Sequence, residues 1–168
     1  MNKPKAIIVI TALLSILFVS CKKDIYGKWE ISDMKVVESK NEIPQIMIDN
    51  AKTIALATSY EFFSDGKFTM TTTCNDVTTV GLKNKGRMTI GNNQLILQTD
   101  TLFSIQNAGD DWRLVEQNDY NAETFDKPEK MKIKKLTSNQ MILSQSDNYN
   151  NIIHYTLRRT NKIWQIIQ

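Results

Sequence analysis

YEFFSDGKFTMTTT, residues 60–73, is the stretch on which the fold turns. Two apolar-alternating runs, 60–63 and 67–73, flank Ser64-Asp65-Gly66, and Gly66 can supply the positive φ that a tight hairpin turn needs. The same period of two recurs outward in both directions. Upstream, residues 26–38 place Tyr26, Trp29, Ile31, Met34, Val36 and Val37 along one strand with a bend near Ser32-Asp33. Downstream, strands are expected over 77–82, 87–90 and 94–98, with turns at Lys85-Gly86 and Gly91-Asn92-Asn93. Residues 100–129 are less regular: Leu114 and Val115 fit a strand, and 118–128 reads as a long polar loop. A three-strand meander then covers 131–136, 141–145 and 152–159. In its first strand Leu136 falls out of phase with Met131 and Ile133, which predicts a bulge near Lys134-Lys135.

One segment breaks the period. Residues 44–58 carry Met47, Ala51, Ile54, Ala55 and Thr58 at helical spacing, with Pro44 where a helix start tolerates it. Ile43, Ile46, Ile48 and Leu56 make this helix apolar on more than one side, so it is expected to tuck against the sheet. The fold class is therefore mainly β: an antiparallel up-and-down barrel of 8–10 strands with one short helix after the first strand.

The N-terminus carries an address. Lys3 and Lys5 precede an almost unbroken apolar run over 6–18, and Phe18-Val19-Ser20-Cys21 resembles the lipobox that closes bacterial lipoprotein signal peptides. The run is shorter than the roughly 20 residues an α-helix needs to cross a bilayer. The expected organisation is a signal peptide over 1–20, a lipidated tether over 21–25, a barrel domain over 26–159 and a tail over 160–168. Acylation of Cys21 would hold the protein at a membrane, and Lys22-Lys23 after the cysteine favours the outer membrane.

Cleavage before Cys21 removes 20 of the 168 residues and leaves 148, enough for one domain with a real core. The leader takes two lysines with it, so the remaining chain carries 19 basic and 18 acidic side chains. That near-neutral balance, without basic blocks, gives no footprint for nucleic acid. Once Cys21 is acylated, Cys74 is the one remaining thiol, which excludes an internal disulfide and reads as a packed side chain.

At Gly27-Lys28-Trp29 the chain resembles lipocalins, which carry Gly-x-Trp near the start of their first strand. The resemblance continues in the Phe-Ser-Asp-Gly-Lys-Phe hairpin and the Tyr-Thr-Leu-Arg close, and is that of a lipocalin-like lipoprotein of the Gram-negative envelope. It implies that a late arginine packs across the tryptophan to close the barrel; Arg159, in phase with Ile153, Tyr155 and Leu157, is the residue expected to do so across Trp29 beside Gly27. The early helix resembles the portal of fatty-acid-binding proteins, making Met47, Ala51, Ile54 and Ala55 candidate lid residues.

Catalytic and metal chemistry find little support. His154 is the sole histidine, which excludes a multi-histidine metal site, and its phase opposite to Ile153 and Tyr155 faces it outward. No hydroxyl-nucleophile motif, phosphate loop or paired-carboxylate pattern is present, so the chain reads as non-enzymatic, without cofactor or metal. Asp100-Thr101-Leu102 resembles a bacterial O-glycosylation motif, with Thr101 as acceptor. Ile163, Trp164, Ile166 and Ile167 make the tail a candidate contact for an envelope protein or for the barrel itself. Two functions remain in competition: a membrane-anchored carrier of a small apolar ligand, and an accessory subunit of an outer-membrane complex whose barrel is filled by its own side chains.

Overall fold

The computed structural model describes residues 24–73, 80–107, 112–118, 127–161 and 166–167. Ten strands and one helix follow in the order β1 (Gly27–Glu38), α1 (Gln45–Leu56), β2 (Thr58–Phe62), β3 (Lys67–Thr73), β4 (Val80–Gly91), β5 (Gln94–Asn107), β6 (Trp112–Asn118), β7 (Glu129–Leu136), β8 (Gln140–Ser146), β9 (Ile152–Arg159) and β10 (Ile166–Ile167). Antiparallel pairing runs β5-β4-β3-β2-β1-β9-β8-β7, and a further β5–β7 ladder closes these eight strands into a ring. The expected mainly-β barrel with a helix after its first strand is the fold observed.

Closure depends on the length of β5. Its first part, Gln94 to Leu97, pairs with β7, whereas Leu102 to Asn107 pairs with β6, which lies outside the ring. β10 adds to β6 in parallel, so the expected tail places Ile166 and Ile167 beside Trp112 and Arg113. The hairpin turns follow local chemistry: Gly66 takes φ +83°, and Asn92 and Asn93 take +50° and +58° in the β4–β5 turn. Register shifts fall at Ile31/Asp33, where the sequence pattern predicts a bend, and at Ile133/Lys135, where it predicts a bulge, and also at Val36/Glu38 and Ser104/Ile105, where it predicts neither.

Three expectations require correction. Lys85-Gly86 is not a turn: β4 is continuous through both residues, because Gly86 serves a close approach to β5 rather than a reversal. The region after residue 98 is also more regular than expected, since β5 continues to Asn107 past a bulge at Asp100 that interrupts its alternation. Finally, α1 is not tucked in. Ala55 is its one buried residue, and Ile46, Met47, Ile54 and Leu56 stay largely exposed.

The core occupies the inner face of the ring. Trp29, Ile31, Met34, Tyr60, Phe62, Phe68, Leu95, Leu97, Met131, Met141, Leu143 and Leu157 are all buried within one cluster. Partly buried hydrophobics pack against it at both ends: Tyr26, Ile90 and Leu136 toward the end where β1 begins, and Val36, Met70, Ile153 and Tyr155 farther along.

Candidate functional site

The two ends of the barrel are built differently. At the floor, Trp29 is fully buried and its indole N–H donates to the Ile25 carbonyl at 2.7 Å. The Arg159 guanidinium lies 4.6 Å from the Trp29 ring centroid, a cation–π distance. It donates from Nη1 to Tyr26 O at 2.7 Å, from Nη2 to Asp24 O at 2.5 Å and from Nε to Ser138 O at 2.5 Å. Gly27 has φ +118°, and a Cβ there would sit 2.6 Å from Arg159 Nη1, so a larger residue would be strained and would displace the guanidinium. Gly27, Trp29 and Arg159 thus meet in one plug, with each strong donor committed to protein.

The mouth is open by comparison. A cavity of about 310 Å³ lies between α1 and the barrel wall. Met34, Val36 and Ile153 form its barrel side, Met47, Ile48 and Ala51 its helix side, and Asp147, Tyr149 and Asn151 its rim. Of the lid residues expected from sequence, Met47 and Ala51 line this cavity. Ile54 is 56% exposed and Ala55 is buried, and neither lines it. Ile48 completes the helix face defined by Met47 and Ala51; its i, i+3, i+4 spacing with Pro44, Met47 and Ala51 was readable, but which face turns inward was not.

The helix is fastened unevenly. At its C-terminal end Thr58 Oγ1 donates to Ile54 O at 2.9 Å and lies 2.9 Å from Thr72 Oγ1, while Thr73 N–H donates to Ala57 O at 3.0 Å. At its N-terminal end Pro44 offers no side-chain cap and the first turn holds no acidic residue. Between them, Lys52 Nζ lies 3.0 Å from Asp33 Oδ1 on β1. The hydrogen bond from Lys52 holds the Asp33 carboxyl below its usual range, against partial burial and with help from Lys35. The helix is therefore tied most closely at β2–β3, joined to β1 at Asp33, and has its fewest capping contacts beside the cavity.

The rim is ordered by one carboxylate. Asp147 accepts from Tyr149 N–H at 2.9 Å, Asn151 N–H at 2.8 Å and Asn151 Nδ2 at 2.7 Å. Burial opposes the charge on Asp147, but these donors outweigh it and keep the carboxyl below its ordinary pKa. Ser39 Oγ donates to Asn151 Oδ1 at 2.7 Å and ties the chain leaving β1 to this turn.

A shallower groove of about 550 Å³ runs along the outer wall past Phe63, Lys67, Thr69, Arg87 and Thr101. It is the larger of the two, yet its charges are paired with one another: Lys67 with Asp65 at 2.7 Å, and Arg87 with Asp100 at 2.9 and 3.1 Å. Thr101, the glycosylation candidate, is partly exposed there, and Leu102 is buried. His154 pairs in register with Lys35 and Ser144, in the phase opposite to the core. The leader, Cys21 and Cys74 lie outside the described residues. Among the described residues, no three His, Cys, Asp or Glu side chains come together as a metal site requires.

No family model matches the sequence, and no curated protein matches it. Among solved structures, the chain is similar to a lipocalin-like protein from Bacteroides uniformis ATCC 8492, with 14% identity and a TM-score of 0.46 over 82% of this chain and 99% of that one. It is also similar to an uncharacterized protein from Bacteroides eggerthii DSM 20697, with 14% identity and a TM-score of 0.44 over 80% of this chain and 98% of that one.

Proposed function

We propose that this chain is a non-enzymatic carrier that holds a small apolar molecule beneath α1 and is anchored to the outer membrane through an acylated Cys21. The observation that carries the binding half is the cavity at the mouth, whose walls are mainly methionine and aliphatic side chains. Its volume of about 310 Å³ lies at the lower end of the range for small-molecule sites. The lid supports the same reading, because a helix with a weak N-terminal end can open without disturbing the core. The packed floor favours the other reading, an accessory subunit with a filled barrel, and a binding measurement separates the two.

Saturable uptake of a neutral environment-sensitive dye is expected for the wild-type chain. Met47→Ser with Ile48→Ser should weaken it by about 1–2 kcal/mol, the scale of lost apolar contact. Ile54→Ser, on the exposed side of the same helix, should leave it unchanged. Absence of saturable uptake would move the assignment to the accessory-subunit reading. The anchor is tested separately, by metabolic labelling with a fatty acid. Cys21→Ser should abolish labelling, and unchanged labelling and membrane retention would refute the lipoprotein assignment.

A further inference from the structure

Above the floor, the lumen is not uniformly apolar. The register Trp29–Tyr60–Met70–Asn84–Leu102 crosses five strands, so all five side chains share the inner face. Tyr60 and Asn84 are 9% and 8% exposed, and among the described residues neither the Tyr60 hydroxyl nor the Asn84 side-chain amide has a hydrogen-bond partner. Such groups cost folding free energy, and in native proteins they mark places where something else supplies the bond.

Two more polar groups point the same way. Tyr155 pairs across with Met34, which lines the mouth cavity. Glu129 pairs with Leu97 in the inward phase of Met131. Burial, then the charge of Glu129 and the neighbouring Tyr155, pushes the Tyr60 phenol far above its ordinary pKa, so it remains a neutral donor. Glu129 keeps contact with solvent at the barrel edge, yet enough protein surrounds its carboxyl to raise its pKa. The next inward residue on β4, Leu82, is 46% exposed, so solvent reaches the inner face one step beyond Asn84.

Positive charge is missing from this surface. Among the described residues, no lysine shares the inward phase of the ring, and Arg159 is committed to three backbone carbonyls at the floor. A carboxylate or phosphate head would meet Glu129 with no cation to balance it, whereas a hydroxyl or amine could donate to Glu129 or Asn84 and accept from Tyr60 or Tyr155.

We propose that Tyr60, Asn84, Tyr155 and Glu129, none of which lines the mouth cavity itself, form the head-group end of an internal site that extends from that cavity past Met34, and that this site takes an apolar molecule bearing an uncharged or cationic hydrogen-bond donor, a long-chain alcohol or amine, and rejects carboxylates. The assignment rests on the carrier reading above. It is tested with the full chain by displacement of Nile red with dodecanol, dodecylamine and dodecanoate. Dodecanol and dodecylamine should act at concentrations about tenfold below dodecanoate, since an unbalanced like charge opposes the acid. Tyr60→Phe and Asn84→Leu should each weaken alcohol and amine by about fivefold, the scale of one lost hydrogen bond, without lowering the unfolding midpoint. Glu129→Gln should bring dodecanoate level with the other two. Dodecanoate equal to or stronger than the amine on the wild type, or unchanged alcohol and amine binding in Tyr60→Phe, would overturn the head-group assignment and leave the carrier intact. Failure of all three compounds to displace a bound dye would overturn the head-group assignment alone, and failure of the dye to bind would overturn both.

Discussion

Trp29→Ala is expected to destabilise the barrel by about 3–5 kcal/mol, the cost of removing a large aromatic side chain from a packed interior. The substitution removes more than area. Trp29 is fully buried, its indole N–H satisfies the Ile25 carbonyl, and its ring supports the Arg159 guanidinium at 4.6 Å. With the ring gone, the guanidinium keeps its three backbone acceptors but borders a cavity, and Asp24 to Tyr26 lose the surface they rest on. Chemical denaturation followed by far-ultraviolet circular dichroism reads the loss directly. Lys28→Ala, next in sequence but on the outer wall beside Glu61, should change stability by no more than about 0.5 kcal/mol. A loss under about 1 kcal/mol for Trp29→Ala would mean that the floor does not close the barrel.

Gly86→Ala should cost about 3 kcal/mol or more, toward the upper end of overpacking effects, because the obstacle is backbone. A Cβ at Gly86 would lie 2.0 Å from the Gln98 carbonyl oxygen and 2.8 Å from Phe68 Cε1. Neither can move freely: Gln98 sits in the β4–β5 ladder, and Phe68 is a fully buried core residue. Gly86 also faces the bulge where β5 inserts Asp100, whose carboxylate turns outward to meet Arg87. Gly91→Ala provides the contrast, since a Cβ there meets nothing within 4 Å, and it should be close to neutral. Similar unfolding midpoints for the two variants would show that β4 and β5 do not approach as closely as described.

The comparison of these glycines shows why some of the architecture was legible in the sequence and some was not. Gly66, Asn92 and Asn93 announce their turns because a positive φ is a local demand met by residue type. Gly86 looks the same in sequence, but its demand comes from Gln98 and Phe68 on other strands, so the local pattern alone points to a turn. The length of β5 was hidden in the same way, because the bulge at Asp100 resets the alternation that defines a strand. For α1, the spacing of Met47, Ala51, Ile54 and Ala55 establishes a helix, but apolar residues on several faces leave its rotation about its own axis undetermined. The inward row of Tyr60 and Asn84 required a register across β2, β3 and β4 that no single segment contains.

The capture of Asp24, Ile25 and Tyr26 by the floor also sets the orientation of the protein on its membrane, on the reading that Cys21 carries the lipid. Three residues from Cys21 to Asp24 span at most about 10 Å. The 12 residues of β1 cover about 40 Å, or about 30 Å along the axis of a tilted barrel, and α1 follows at its far end. On that reading a leash that short would keep the plugged end against the bilayer and aim the end that carries α1 away from it. Cargo would then be exchanged with whatever approaches from the aqueous side, and lateral uptake from the anchoring leaflet would be out of reach.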